Sequence, residues 1–288
     1  AEGWSEAKDR EEADLVVINT CTVTGMAAKK SRQHIRKFRL AYPRALLVVM
    51  GCYAQEEGEA VIDECGADLI LGTSHRAEIV NFIKEAQGHP GRRALLDTRP
   101  RDFKYEEIAT LFQPLTSRAF VKIQDGCDNY CSYCIIPYVR GLSRSRDPQA
   151  IKREIRTLVA NSYREIVITG IHTGGYGRDL KDFSFSRLIR EILEENPNLY
   201  RLRISSIEAS EIDDDFIALL RRYPNIADHL HIPLQSGSET VLKRMNRRYA
   251  IKDYEATISK AREARPGIAI TTDVIVGFPG ETDAEFQE

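Results

Sequence analysis

Short runs of β-branched residues alternate with helical patterns, and this alternation restricts the fold more than any other feature of the chain. In the first third, apolar runs lie at 15–18 (LVVI), 46–50 (LLVVM) and 69–71. Helical stretches separate and follow them, at 29–39, which is strongly basic, and at 56–65 and 76–85. Because buried parallel strands have this apolar character, the sequence predicts a small doubly wound parallel α/β domain over residues 1–88.

The alternation resumes at Ser117 and continues to the end of the chain. Strands are predicted at 119–123, 165–169, 201–205, 229–232 and 268–276, with helical patterns between them. Such alternation is the pattern of a TIM-like (β/α) barrel, complete or partial, over residues 117–288. Residues 89–116 contain GHPGRR and TRPRD with little periodicity, which predicts a linker.

Composition restricts the function less than the motifs do. The chain has 288 residues, enough for two domains, and its formal net charge is -2, so any nucleic-acid surface must be local. No apolar run has the length of a membrane span and no signal peptide is visible, so no membrane partner is expected. Clustered cysteines favour a reducing, cytoplasmic location. The first residue is Ala1 rather than Met, so a fragment of a longer protein is expected.

Three cysteines, Cys127, Cys131 and Cys134, form a C-x-x-x-C-x-x-C pattern. Three thiolates on so short a loop can converge on one soft-metal centre. A structural zinc site needs four protein ligands, and no fourth Cys or His follows at ligand spacing. An iron–sulfur cluster held by three thiolates fits better and leaves one iron open for reaction. A zinc loop or buried free thiols remain as alternatives.

Two further cysteines follow predicted strands. Cys21 comes after LVVINT and Cys52 after LLVVMG, at strand ends where ligands of parallel sheets gather. The two thiols are therefore candidates for one crevice, with half-buried free thiols as the alternative. Cys65 lies in a predicted helix and is interpreted as a core residue.

These motifs together resemble the radical S-adenosylmethionine (SAM) methylthiotransferases. The resemblance rests on the cysteine loop with Tyr133 before its third Cys, on VKIQDGC and VRGLSRSR, and on NTCTVT, MGCYAQ, GIHTGGYG and TDVIVGFPGET. It extends from Asp14 to Glu281 and is strongest for the branch that acts on N6-threonylcarbamoyladenosine in tRNA. That family has a six-unit open barrel behind an α/β domain.

The resemblance implies two [4Fe-4S] clusters and SAM as cofactors. Cys127, Cys131 and Cys134 would hold the cluster that cleaves SAM. Cys21 and Cys52 would hold an auxiliary cluster with a third cysteine upstream of Ala1. Glycines let the backbone approach a ligand, and free N–H groups at a helix start receive polar atoms. The implied SAM-binding residues are Tyr133, Gly170, Ile171, His172, Arg203, Ser205, Glu208, Gln235, Gly237 and Asp273.

The expected activity is 2-methylthiolation of N6-threonylcarbamoyladenosine at tRNA position 37. The expected partners are the tRNA anticodon stem-loop, an electron donor such as flavodoxin or ferredoxin, and a sulfur source. Arg140, Arg144 and Arg146 are candidate RNA-phosphate contacts, with a solvated basic face as the alternative. Other substrates (isopentenyladenosine in tRNA or a ribosomal-protein aspartate) remain open, as does a non-catalytic iron–sulfur or zinc RNA-binding module.

Overall fold

A computed structural model of the chain describes residues 3–8, 12–88, 91, 93–96, 104–108 and 116–288. The chain forms two compact units. The first comprises Ala1–Ile108 with Cys134–Gly141, and the second comprises Ala109–Tyr133 with Leu142–Glu288. Both units contain parallel strands with helices, which confirms the predicted α/β class. The segment Cys134–Gly141, expected within the second domain, belongs with the first unit.

A four-stranded parallel sheet forms the centre of the first unit. Its strands lie in the order β1-β2-β3-β4, namely β1 (Leu15–Thr20), β2 (Leu46–Gly51), β3 (Leu69–Leu71) and β4 (Arg93–Leu95). Strand β4 falls inside the predicted linker, so the linker interpretation is wrong there. Unlike β3 (LIL), which is equally short, β4 (RAL) begins with a charged residue and forms no clear apolar run, and the Gly and Pro before it indicated a loop. The rest of 89–116 lies largely outside the described residues.

The helices of the first unit cover both faces of this sheet. Leu47 and Val49 of β2 pack toward α1 and α3, whereas Val48 faces α4. A single helix over 56–65 was predicted, but the chain turns at Gly58, whose φ is 59°, and two short helices result. The helices are α1 (Gly25–Ala41), α2 (Cys52–Glu57), α3 (Ala60–Cys65), α4 (Ile79–Gly88) and α5 (Ile136–Arg140).

The second unit contains two parallel sheets and one short antiparallel pair. The parallel sheets are β5-β8-β9 and β10-β11, and β6 pairs with β7. The strands are β5 (Arg118–Lys122), β6 (Gln124–Asp125), β7 (Arg144–Ser145), β8 (Glu165–Thr169), β9 (Arg201–Ile204), β10 (His229–His231) and β11 (Ala269–Thr271). The helices are α6 (Pro148–Ala160), α7 (Phe185–Glu195), α8 (Asp214–Arg222), α9 (Glu239–Arg244), α10 (Ile251–Ala264) and α11 (Asp283–Gln287).

Alternating side chains of β5 and β8 supply one apolar face to the core of this unit. Ala119, Val121, Ile166 and Ile168 are buried in the same core as the apolar stripes of the helices. The last strand is shorter than predicted because β11 ends at Thr271; beyond it only a bridge between Gln235 and Val274 continues the pairing. No helix in the described ranges is long and apolar enough to cross a membrane.

We expect Leu69→Ala to lower the free energy of unfolding of the first unit by about 2–5 kcal/mol, because it leaves a cavity in a close-packed core. Leu69 is 1% exposed, whereas Leu40 in the same unit is 83% exposed. Leu40→Ala is therefore the matched control, with an expected change within about 0.5 kcal/mol. Trp4, the one tryptophan of the sequence, packs against the cluster that contains Leu69, so its fluorescence reports the transition. Equal effects of the two substitutions would contradict this packing.

Candidate active site

Gln124 joins the two loops that carry the predicted SAM-site motifs. It is fully buried on β6, and its Oε1 accepts hydrogen bonds from the backbone N–H groups of Ile171 (3.0 Å) and His172 (2.8 Å). Its Nε2 donates to the carbonyl oxygens of Asp125 (2.8 Å) and Gly126 (2.7 Å), directly before Cys127. One amide side chain therefore fixes the glycine-rich loop after β8 relative to the start of the cysteine loop.

Asp125, next to Gln124, organises the cations that follow the cysteine loop. Its carboxylate is 1% exposed and pairs with Lys122 Nζ at 2.7 Å and Arg144 Nη2 at 3.2 Å. Arg146 is also buried and pairs with Glu154. The solvated-face alternative is wrong for Arg144 and Arg146, and their buried ion pairs argue against the predicted contacts with RNA phosphates. A charge run cannot show which cations have buried carboxylate partners.

Residues after α9 hold the middle of the cysteine loop. The Ser132 N–H donates to the Met245 carbonyl at 3.0 Å, and Asn246 Nδ2 donates to the Tyr130 carbonyl at 2.8 Å. Asn246 and Tyr130 both have left-handed backbones, with φ of 58° and 50°. The sequence analysis did not predict these two hydrogen bonds, which lie on either side of Cys131. The N-R-R sequence after Met245 indicates a turn, because Asn favours turns.

A cavity of about 220 Å³ lies beside Cys131 in the second unit. Cys131 is one of its lining residues and its wall is mostly polar and charged. The other lining residues are Asn129, His172, Arg178, Glu208, Ser210, Glu211, Asn246, Arg247, Arg248 and Tyr249. Of the ten predicted SAM-binding residues, His172 and Glu208 line this cavity.

His172 is buried and lies among anionic partners. Its Nε2 pairs with Glu211, and Asn129 Nδ2 lies 3.2 Å from the same nitrogen. Burial opposes protonation of the ring, but hydrogen bonds to Cys127 and Glu211 outweigh it and raise the pKa of His172 to about 10. Gly174 lets Glu211 approach this closely, because a Cβ at that position would overlap the carboxyl group.

Glu208 and Arg247 form a buried ion pair on the cavity wall. Their side chains are 19% and 5% exposed, and Arg247 Nη1 lies 3.6 Å from Cys131 Sγ. Burial raises the pKa of Glu208 in spite of Arg247, and the pKa of Arg247 is raised although burial opposes it, chiefly by Glu208. In the described part of the chain, Arg247 Nε and His172 Nδ1 are buried without a hydrogen-bond partner. Both atoms belong to residues that line the cavity.

The other predicted SAM residues lie at the ends of the strands or beyond them. Gly170 and Ile171 follow β8, and Ser205 follows β9, where its N–H donates to the Ile168 carbonyl at 3.0 Å. The structure does not support the assignment of Arg203 to SAM binding, because Arg203 lines a different cavity and pairs with Glu165 at 2.7 Å. Arg203 lies inside β9, before the strand end that Ser205 follows.

Tyr133 contacts the TDVIVGFPGET motif through the ring of Phe278. Tyr133 is 41% exposed and its ring packs edge-on against Phe278, with centroids 6.3 Å apart. Gln235 has a left-handed backbone with φ of 67°, and its N–H donates to the Asp273 carbonyl at 2.8 Å. Gly237 is exposed just before α9. None of these residues lines the cavity beside Cys131.

The two auxiliary cysteines lie at one edge of the first sheet. Thr20 and Gly51 are register partners in β1 and β2, and Cys21 and Cys52 follow them directly. Cys21 is exposed and Cys52 is buried at the start of α2. Arg140 of α5 donates from Nε to Cys52 Sγ at 3.2 Å. The RNA contact of Arg140 stays a prediction, and the structure adds this contact with a cysteine.

The cysteine loop has the three thiols for the cluster that its motif implies, whereas Cys21 and Cys52 are two of the three thiols implied for an auxiliary cluster. In the described part of the chain no three His, Cys, Asp or Glu side chains converge on a single metal ion. A cubane cluster needs wider spacing, because each thiolate binds a different iron. Cys127 and Cys131 are half-buried thiols with His172 and Arg247 as polar neighbours, which suits an anionic sulfur centre. Cys21 and Cys52 supply two thiols in register.

Comparison with known proteins agrees with this geometry. Residues 121–288 match the Radical SAM superfamily, and residues 1–72 match the Uncharacterized protein family UPF0004. The first match covers more than half of the chain, so the chain belongs to the radical SAM superfamily. Membership implies SAM and a [4Fe-4S] cluster, and the resemblance seen in the sequence is confirmed.

The curated relatives are tRNA-modifying enzymes. The chain is 46% identical to "Threonylcarbamoyladenosine tRNA methylthiotransferase MtaB" of Bacillus subtilis (strain 168), with 100% of this chain and 64% of the relative covered. It is 34% identical to "tRNA-2-methylthio-N(6)-dimethylallyladenosine synthase" of Clostridium tetani (strain Massachusetts / E88), with 99% and 64% covered. The chain therefore spans a little less than two thirds of the length of these relatives.

Solved structures share the fold. The chain superposes on the radical S-adenosylmethionine methyltransferase TsrM from Kitasatospora setae, bound to tryptophan and a SAM analog, with a TM-score of 0.69 and 18% identity. This match covers 96% of this chain and 59% of TsrM. At this identity the likeness establishes the fold alone.

We expect Gln124→Ala to speed amide hydrogen exchange at Ile171 and His172 by about fivefold or more, because each N–H loses an acceptor worth about 1 kcal/mol. Exchange measured by mass spectrometry on peptides from the loop after β8 checks this. Gln287→Ala, at an exposed position on α11 of the same unit, is the control and should leave that loop unchanged. Unchanged exchange in Gln124→Ala would show that the amide side chain does not hold the loop.

Proposed function

We propose that this protein is a tRNA methylthiotransferase that converts N6-threonylcarbamoyladenosine at position 37 to its 2-methylthio derivative. The observation that carries the proposal is the 46% identity to the Bacillus subtilis enzyme across the whole of this chain. The cavity beside Cys131 supports it, because its polar wall suits an amino acid and ribose. The site would work in the cytoplasm on the tRNA anticodon stem-loop.

Two sets of cysteines would hold the two [4Fe-4S] clusters in this proposal. Cys127, Cys131 and Cys134 would hold one, and Cys21 and Cys52, with a further cysteine, would hold the other. When bound, the first cluster and SAM supply radical chemistry that breaks an unactivated C–H bond. An electron donor such as flavodoxin or ferredoxin and a sulfur source complete the set of partners.

The residues of the chain would bind and orient the cofactor. Gln124 fixes the glycine-rich loop, so that backbone groups after β8 approach a ligand at a set distance. The His172 imidazolium and the Arg247 guanidinium each keep a buried N–H without a partner in the described residues, and either suits a carboxylate. Tyr133 and Phe278 offer an exposed aromatic surface suited to a purine ring.

A second candidate substrate is isopentenylated adenosine in tRNA, because relatives at 34–38% identity are named for it. The intact protein, reconstituted anaerobically with iron and sulfide, should be given reductant, SAM and tRNA that carries either modification at position 37. Nucleoside analysis by liquid chromatography and mass spectrometry is expected to show methylthiolation of the threonylcarbamoyl nucleoside alone. A product from the isopentenyl substrate alone would overturn the substrate assignment.

A further inference from the structure

A second cavity, of about 400 Å³, lies in the second unit at the amino-terminal edge of β9 and β10. It is lined by Tyr200 and Arg201 at the start of β9, and by Asn225, Asp228 and His229 at the start of β10. The candidate active site lies after the carboxyl ends of the strands and shares no lining residue with this cavity. The second cavity therefore needs an explanation of its own.

Positive charge around this cavity exceeds negative charge. Glu165 is the shared partner of Arg118 (3.3 Å), Arg201 (3.5 Å) and Arg203 (2.7 Å). A single carboxylate neutralises one of these three guanidinium groups. Asp228, the other carboxylate at the cavity, already pairs with Arg265. With Arg164, which lies against Tyr200, the described residues place five arginines beside two carboxylates, and Arg201 and Arg203 line the cavity itself.

Tyr200 holds two of the arginines in place by stacking. Its ring is 56% exposed, with the guanidinium carbon of Arg164 4.4 Å and that of Arg201 5.3 Å from its centroid. A guanidinium group that lies against a ring keeps its N–H edge for a further acceptor. Because stacking restricts the side-chain rotamers, a ligand would meet arginines that are already ordered.

A neutral histidine on β10, His229, holds the Arg203 side chain in place. Arg203 Nη1 donates to His229 Nδ1 at 3.3 Å, which leaves His229 Nε2 to donate to Thr271 Oγ1 at 2.9 Å. Burial, together with the charges of Arg203 and His231, lowers the pKa of His229. The ring therefore acts as an acceptor for Arg203 rather than as another cation.

We propose that this cavity is a phosphate-binding site. Planar guanidinium forks match the oxygen atoms of a phosphate group in pairs, and several ordered forks around a polar cavity favour that anion. A phosphodiester of an RNA strand and a free phosphate on a small molecule share this chemistry. The site does not depend on the proposed function, since it requires neither SAM nor an iron–sulfur cluster.

The test compares two double substitutions that remove the same charge from the intact protein. Arg164→Gln/Arg201→Gln removes the two stacked arginines, whereas Arg187→Gln/Arg262→Gln removes two exposed arginines on α7 and α10. Binding of a fluorescein-labelled single-stranded RNA is measured by anisotropy, and binding of inorganic phosphate by calorimetry. We expect the first pair to weaken RNA binding by about tenfold or more, and the control pair by less than about twofold.

A salt titration and a variant that should tighten binding complete the test. Log affinity falls as log salt rises, and loss of two phosphate contacts should make that fall shallower by about 1.4 in slope. Asp228→Asn removes a negative charge from the rim and should tighten binding, which a misfolded variant would not do. Weaker binding of inorganic phosphate with unchanged RNA binding would assign the site to a small phosphate-bearing molecule. Equal affinities of the two double variants for both probes would overturn the proposal.

Discussion

Cys131→Ala is expected to abolish formation of 5′-deoxyadenosine from SAM and to remove about four iron atoms per chain. The cluster proposed for the cysteine loop depends on three thiolates, and two thiolates cannot hold a cubane that keeps one iron open. Cys131 also lines the polar cavity and lies 3.6 Å from Arg247 Nη1. Iron and sulfide content after anaerobic reconstitution, measured with product formation, checks both effects.

Cys65→Ala is the matched control for this substitution. Cys65 is 4% exposed in the core of the first unit, and burial raises the pKa of its thiol. A neutral buried thiol is a poor metal ligand, so iron content and 5′-deoxyadenosine should both stay at the level of the unsubstituted protein. Full iron content in Cys131→Ala would show that the cysteine loop does not hold a cluster.

Arg247→Met is expected to destabilise the second unit by about 3–5 kcal/mol, because it leaves Glu208 buried without its charge partner. Arg248 follows it, lines the same cavity and is exposed, so Arg248→Met removes an equal charge as a control. That control should change stability by no more than about 0.5 kcal/mol. The tryptophan lies in the first unit, so hydrogen exchange of core peptides in the second unit is the suitable measurement.

The double variant Glu208→Gln/Arg247→Met distinguishes loss of stability caused by the broken ion pair from loss of stability caused by poorer packing. Removal of both charges relieves the unpaired carboxylate, so the double variant should be more stable than Arg247→Met alone. If the double variant were as unstable as the sum of its single variants, the two side chains would not be coupled. The ion pair would then have no part in shaping the cavity.

The order of strands and helices could be predicted because burial imposes a period on each element. The runs LVVI, LLVVM and EIVIT became β1, β2 and β8, and the cysteine loop followed the strand from which it was expected. Strand β4 was missed because its residues, RAL, begin with a charge, whereas the equally short β3 is the apolar run LIL. The break at Gly58 was missed because helical patterns on its two sides continue one another in sequence.

Pairing between distant residues limited the prediction of the site. Nothing in the local sequence shows that Gln124 accepts hydrogen bonds from the backbone N–H groups of residues 171 and 172, or that Asp125 neutralises Arg144. The three arginines after the cysteine loop therefore resembled an RNA-binding face, although two are buried and Arg140 contacts Cys52. Arg203 was assigned to the cofactor on its place in a motif, whereas it pairs with Glu165, a partner 38 residues away that no local pattern indicates.

The most direct test of the central claim follows one hydrogen atom. The intact, reconstituted protein is given SAM, reductant and tRNA whose N6-threonylcarbamoyladenosine at position 37 carries deuterium at C2 of the adenine. A methylthiotransferase of the proposed kind must remove that atom, so the 5′-deoxyadenosine formed should contain deuterium and the tRNA should gain a 2-methylthio group. Formation of unlabelled 5′-deoxyadenosine alone, with no methylthiolated nucleoside, would contradict the proposed function.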